Sequence, residues 1–279
     1  MMKATGKYLG PAEVRDLAEL LELQPTKKLG QNFVVDANTV RRIVTAAGVS
    51  ETDTVLEVGP GLGSLTLGLL SAGATVIAVE VDSRLAAQLP KTVDLLRPGS
   101  RLSVLEADAM TIAELPAEAN RLVANLPYNI SVPVLLHLLQ TFPSLQAGLV
   151  MVQAEVGNRI AADPGSRVYG GPSVKAAWYG RWRTAGHVSR QVFWPVPNVD
   201  SVLIGFERRE GPIGSEAERR ATFGIVDAAF GQRRKMLRQS LAGLFGREAS
   251  NVLERAGIDP TRRPEELSVQ NFLAIARVD

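Results

Sequence analysis

Apolar and polar positions along the chain follow two periods. Residues 11–22 carry apolar side chains at helical spacing, and "DANTVRRIVTAAG" does the same, with Val40, Ile43, Val44 and Ala47 on one face. Asp36 is placed to cap the start of that second helix and Gly48 its end. Then come four short β-rich runs, "TVLEVG", "TVIAVEVD", "RLSVLEAD" and "RLVANLP", separated by helical or loop segments. This alternation predicts a mostly parallel sheet with right-handed crossovers. The later runs "AGLVMVQ", "PSVKAAWYG" and "DSVLIGFE" extend the sheet to seven strands, antiparallel towards its end. After "ERREGPIGSEAE" only helical patterns remain, with Phe223, Val226, Phe230, Leu237 and Leu241 at helical spacing. The expected organisation is an N-terminal extension over residues 1–24, an α/β Rossmann-like domain over 25–211 and a small all-α domain over 212–279.

Composition narrows the chemistry. The chain has 279 residues, 46% of them hydrophobic, and no cysteine. Disulfide frameworks, thiolate metal sites and cysteine nucleophiles are excluded, and a reducing cytoplasm is the expected compartment. The N-terminal stretch gains acids too early for a signal peptide, and no window is apolar enough to span a membrane. His137 sits in a helical pattern and His187 between strand patterns, with no carboxylates at ligand spacing, so no metal site is expected.

The first chemical motif is "EVGPGLGSLT", which follows a strand run and opens a helix. Gly59, Gly61 and Gly63 remove side chains where a ligand must approach the backbone. Glu80 ends the next strand run, placed to accept ribose hydroxyls. By itself this pattern also fits a dinucleotide. Two features favour S-adenosylmethionine. Ser64 stands where the third glycine of G-x-G-x-x-G is expected, and Glu57 puts a carboxylate where a pyrophosphate would be repelled and an ammonium or sulfonium attracted. Asp108 ends the third run and can accept an adenine amine.

The fourth strand run ends in "NLPY". An adenine N6 amine is a poor nucleophile because its lone pair is delocalised, and acceptors at its N–H bonds favour the tetrahedral geometry that attack requires. The Asn125 side-chain oxygen and the Leu126 carbonyl are the expected acceptors, with Pro127 fixing the backbone and Tyr128 stacking on the base. No strong general base is needed, since the nitrogen becomes acidic once it carries positive charge.

"KKLGQNFVVDANTVRRIV", "VLEVGPGLGSLTLGLL", "VANLPYNISVPVLLHLL" and "FWPVPNVDS" together resemble the ribosomal RNA adenine dimethylase family, most closely its small-subunit (16S rRNA) branch. The resemblance runs from about residue 25 nearly to the C-terminus. It implies an S-adenosylmethionine-dependent methyltransferase that dimethylates N6 of two adjacent adenosines in the 3′-end hairpin loop of 16S rRNA within a pre-30S particle. By position it implies cofactor contacts at Asn32, Val34, Gly59, Gly61, Glu80, Asp108 and Asn125. It implies a catalytic set of Asn125, Leu126, Pro127, Tyr128 and Phe193, the last facing the target base opposite Tyr128. Val34 stands where leucine is usual, and Asn198 where a basic residue is frequent.

Net charge is only +2, with a pI near 9.0. Arg219, Arg220, Arg233, Arg234, Lys235 and Arg238 nevertheless face a single acid, Asp227, between residues 219 and 238. They are the expected phosphate contacts. Nothing in the pattern signals oligomerisation, so a monomer is expected.

Overall fold

In a computed structural model, residues 8–23 and 32–278 are described. The chain groups into two compact units, Met1–Gly157 with Thr184–Glu207, and Asn158–Arg183 with Arg208–Asp279.

The first unit opens with α1 (Pro11–Leu20), whose Val14, Leu17 and Ala18 are buried. The short strand β1 (Phe33–Val34) leads to α2 (Ala37–Ala47). Asp36 caps α2 by accepting from the Thr39 amide at 2.8 Å, and Gly48 closes it at φ +60°, both at the positions the sequence marks. Then follow β2 (Thr54–Val58), α3 (Ser64–Ser71), β3 (Thr75–Glu80), α4 (Ser83–Leu96), β4 (Leu102–Glu106), β5 (Arg121–Asn125), α5 (Ser131–Thr141), β6 (Ala147–Gln153) and α6 (Ala154–Ile160). After α7 (Gly171–Tyr179) come β7 (Gly180–Val188), β8 (Phe193–Trp194) and β9 (Ser201–Arg208).

The main sheet has seven strands in the order β4-β3-β2-β5-β6-β9-β7, and β1 pairs with β8 in a separate two-stranded ribbon. Strands β4 to β6 are parallel, and β9 runs antiparallel to β6. The near-continuous burial of β2 and β3 is what a parallel sheet covered on both faces requires. On one face, Val40 and Ile43 of α2 pack in a common core with Leu67 and Leu69 of α3. The strand order reverses at β2, where β3 lies on one side and β5 on the other. Their carboxyl ends therefore open a crevice of the kind in which α/β sheets bind ligands.

Two sequence expectations are corrected. "PSVKAAWYG" is not a strand but helix α7, with Pro172 in its first turn and the Gly170 amide donating to Ser173 Oγ at 2.9 Å. The alternation of Val174, Ala176 and Trp178 mimics a strand, but all three are buried on a helix. The seventh strand is instead β7, "GRWRTAGHV", whose exposed Arg181 and Arg183 conceal its pattern. Such charge is characteristic of a sheet edge, and His187 lies on this strand rather than in a loop.

The second unit contains α7 with α8 (Glu216–Gly231), α9 (Leu237–Ser240), α10 (Ala242–Phe245), α11 (Ala249–Arg255) and α12 (Val269–Ala276). It takes in residues 158–183, which the expected boundary near 212 assigned elsewhere. The reason is packing. Trp178 and Tyr179 of α7 meet Phe223 of α8 edge-on, with ring centroids 5.9 and 6.4 Å apart.

Candidate active site

The loop between β2 and α3 turns through three glycines in the left-handed region. Gly61, at φ +57°, has no room for a side chain, because a Cβ there would lie 2.8 Å from the Phe33 ring. The amides of these three glycines are spent internally. Gly59 N–H donates to the Val79 carbonyl at 2.9 Å, Gly63 N–H to Pro60 at 3.0 Å and Gly61 N–H to Glu80 Oε2 at 3.1 Å.

Glu80 ends β3, and its Oε1 accepts from the amides of Val81 and Asp82 at 3.0 and 3.1 Å. Burial pushes its carboxyl above the ordinary range, against the pull of these three backbone donors. A carboxylate has about four acceptor positions. Three are filled here, so the expected grip on two ribose hydroxyls is reduced to one open position in this conformation.

Glu57 is 1% exposed and accepts from Thr66 Oγ1 at 2.7 Å. Burial, together with the neighbouring charge of Glu80, pushes it up to about 8. That shift favours the protonated form of the buried carboxyl near neutral pH. Asp108 lies two residues past β4, is exposed, and accepts from the Met110 amide at 2.8 Å. At the end of β5, Asn125 Nδ2 donates to the Asn32 carbonyl at 3.0 Å, which brings β1's approach segment against the fourth strand end. The segment "LGQ" before Asn32 lies outside the described residues.

Together these residues line an open cleft of about 890 Å³ that includes Asn32, Val34, Gly59, Gly61, Ser64 and Pro127 beside the three carboxylates. Among the described residues, no lysine, arginine or histidine lines it. Such a lining offers a pyrophosphate no cation, while its acceptors suit the cationic, amine and hydroxyl groups of S-adenosylmethionine. All six predicted cofactor residues other than Asn125 line it with Asn125 itself.

A family model for ribosomal RNA adenine dimethylase matches residues 23–278. The chain belongs to this family. It is 64% identical over 274 residues to "Ribosomal RNA small subunit methyltransferase A" of Leifsonia xyli subsp. xyli, covering 97% of this chain and 98% of the relative. It is 56% identical to the protein of that name in Arthrobacter sp. (strain FB24), covering 98% and 94%. Among solved structures, the 23S rRNA methyltransferase ErmE is 26% identical with a TM-score of 0.66, covering 88% of this chain and 98% of ErmE. A dimethyladenosine transferase from Plasmodium falciparum shares the fold, with a TM-score of 0.74 at 24% identity over 86% of this chain and 94% of that one. As a member of the ribosomal RNA adenine dimethylase family, the chain is an S-adenosylmethionine-dependent methyltransferase.

The remaining members of the dimethylase's expected catalytic set are placed unequally. The Leu126 side chain is buried and its amide donates to Met151 at 3.1 Å, so its backbone continues the line of β5. Tyr128 is half-buried, with its hydroxyl 2.6 Å from Ser201 Oγ, which orients the ring beside Pro127. Phe193 differs from expectation. At 2% exposure, paired with Val34 in the β1–β8 ribbon, it presents no open face to a base in this conformation.

The basic segment is also redistributed. Arg219 and Arg220 both bind Glu216, at 2.7 and 2.9 Å, and the Arg219 guanidinium lies over the Phe223 ring at 4.9 Å. Arg233 is paired with Glu265 at 2.8 Å. Glu216 and Glu265 lie outside the 219–238 window, so linear counting missed them. Arg234, Lys235 and Arg238 are exposed. The more informative count is by unit. The second unit holds 18 Lys and Arg against 11 Asp and Glu, net +7, and the first holds 13 against 18, net −5.

Proposed function

We propose that this dimethylase transfers methyl groups to N6 of two adjacent adenosines in the 3′-end hairpin loop of 16S rRNA, dimethylating each, late in small-subunit assembly. The observation that carries the reading is Asn125, whose amide nitrogen is spent on the Asn32 carbonyl at 3.0 Å while the same residue lines the cofactor cleft. Its orientation is thus set before substrate arrives, with Oδ1 left as an acceptor. S-adenosylmethionine supplies the electrophilic methyl group. Asn125 Oδ1 and the Leu126 carbonyl accept the two N6 hydrogens and draw the nitrogen towards tetrahedral geometry. Pro127 holds that carbonyl in place. Tyr128, braced by Ser201, stacks on the base, which contributes about 1 to 3 kcal/mol.

The second unit's excess of cations supplies phosphate contacts that position the RNA without reading its sequence. Arg234, Lys235 and Arg238 are the contacts we assign first, and Arg219, Arg220 and Arg233 shape the surface through their acid partners. The protein acts as a monomer on a pre-30S particle in the cytoplasm, in keeping with the absence, among the described residues, of any helix long and apolar enough to cross a membrane.

The ErmE likeness raises a second reading, methylation of large-subunit rRNA. The 64% identity to a small-subunit enzyme, against 26% to ErmE, favours the first. Radiolabelled methyl transfer to immature 30S particles beside naked 23S rRNA tests it. Label in the 30S fraction as dimethyladenosine is the expected result, and label confined to 23S rRNA overturns it.

A further inference from the structure

Ser64 is the one position where the glycine loop departs from G-x-G-x-x-G. The structure gives that serine an unusual environment. It is 7% exposed, it lines the cofactor cleft, and its hydroxyl is buried with no hydrogen-bond partner among the described residues. An unsatisfied buried hydroxyl costs about 1 to 3 kcal/mol, so its retention calls for a partner that arrives with a ligand.

Its location indicates which ligand group that is. Ser64 opens α3, an eight-residue helix whose N-cap, Gly63, has no side chain to offer the first-turn amides. Such an end favours an anion. Several other donors near this part of the cleft are already engaged. The amides of Gly59, Gly61 and Gly63 bond to Val79, Glu80 and Pro60. Thr66 Oγ1 is given to Glu57, Asn125 Nδ2 to Asn32, and Asn32 has a partner of its own. With no cation in the described lining, an anionic group of the ligand must be met by neutral donors.

S-adenosylmethionine carries one anion, the carboxylate of its methionyl end. We infer that the Ser64 hydroxyl, together with the first-turn amides of α3, anchors this carboxylate. The inference rests on the cofactor reading above and adds to it a residue that discriminates intact cofactor from ligands lacking the acid.

The test is calorimetric titration of the full chain, without RNA, using S-adenosylmethionine and its decarboxylated analogue, which differ only in that group. Loss of a hydrogen bond to a charged group predicts that Ser64→Ala binds S-adenosylmethionine roughly tenfold more weakly than the parent protein. The decarboxylated analogue should bind parent and variant within about twofold of each other, since neither can use the missing contact. Unfolded material would lower the stoichiometry for both ligands alike, and so does not imitate this difference. Equal weakening for the two ligands, or no weakening for either, overturns the carboxylate assignment alone. Failure of the parent protein to bind S-adenosylmethionine overturns the cofactor reading and this inference with it.

Discussion

Asn125 and Asn32, 93 residues apart in the chain, are joined by one hydrogen bond of 3.0 Å from Nδ2 to a backbone carbonyl. A donor can only be the amide nitrogen, so the bond leaves Oδ1 as the open end of the side chain, the acceptor proposed above for the target amine. Asn125→Ala removes the acceptor at the reacting nitrogen. Single-turnover methylation of 30S particles should slow on the order of a hundredfold. Cofactor affinity, measured separately by calorimetry, should fall much less. A variant that methylates at the parental rate once saturated with cofactor would show that Asn125 only binds.

Glu57 carries a pH dependence whose direction follows from its burial. Its carboxyl is raised from 4.5 to about 8. Between those values the folded protein holds a proton that the unfolded chain has released. Stability therefore falls as pH rises through that window, by up to about 1.4 kcal/mol per pH unit, and levels off above it. Denaturant titrations at pH 6 and 8.5 should show this decline in the parent and a shallower one in Glu57→Gln, whose amide does not titrate. Parallel slopes in the two proteins would remove Glu57 as the source.

Gly61 combines a left-handed backbone with a ring in the space a side chain would fill. Gly61→Ala should cost roughly 1 to 3 kcal/mol from backbone conformation and crowding against Phe33. Because Phe33 precedes Val34 on the cleft wall, cofactor affinity should weaken as well. Thermal melting with and without S-adenosylhomocysteine measures both. An unchanged melting temperature would mean that Phe33 moves aside freely.

The free cations and the paired ones should behave differently towards RNA. Reversing Arg234 and Lys235 to glutamate should weaken binding across RNA sequences. Loss of each phosphate contact should also reduce the slope of log affinity against log salt by about 1. Arg219→Ala, which breaks the pair with Glu216 and uncovers Phe223, should lower stability while leaving the salt slope nearly parental. Filter binding at several salt concentrations separates the two. A larger slope change for Arg219 than for the 234–235 pair would reverse the assignment.

The convergence of the predicted cofactor residues on one cleft was legible in advance because the cleft is built at strand ends, where local pattern and chemistry coincide. Glu80 and Asp108 follow recognisable β-rich runs, and Gly59 and Gly61 sit at the strand-to-helix turn. The failures have two causes. Val174, Ala176 and Trp178 alternate like a strand over nine residues, too short a window for period to decide. The arginines of β7 hide an edge strand because an edge need not be apolar.

What the sequence by itself determined is the set of groups that converge: three acids, a glycine turn and the "NLPY" end, with the parallel sheet that brings their strand ends together. Only the tertiary structure decided how many bonds those groups have left to make. Three backbone amides already fill most of Glu80, burial raises the Glu57 carboxyl against the opposing pull of the Thr66 hydroxyl, Phe193 is closed off, and Ser64 has no partner among the described residues. It also decided that Glu216 and Glu265 pair with three of the six cations of the basic run. Hydrogen bonds and ion pairs satisfy donors and charges through space, between residues as far apart as Asn32 and Asn125, whereas a pattern along the chain records only near neighbours.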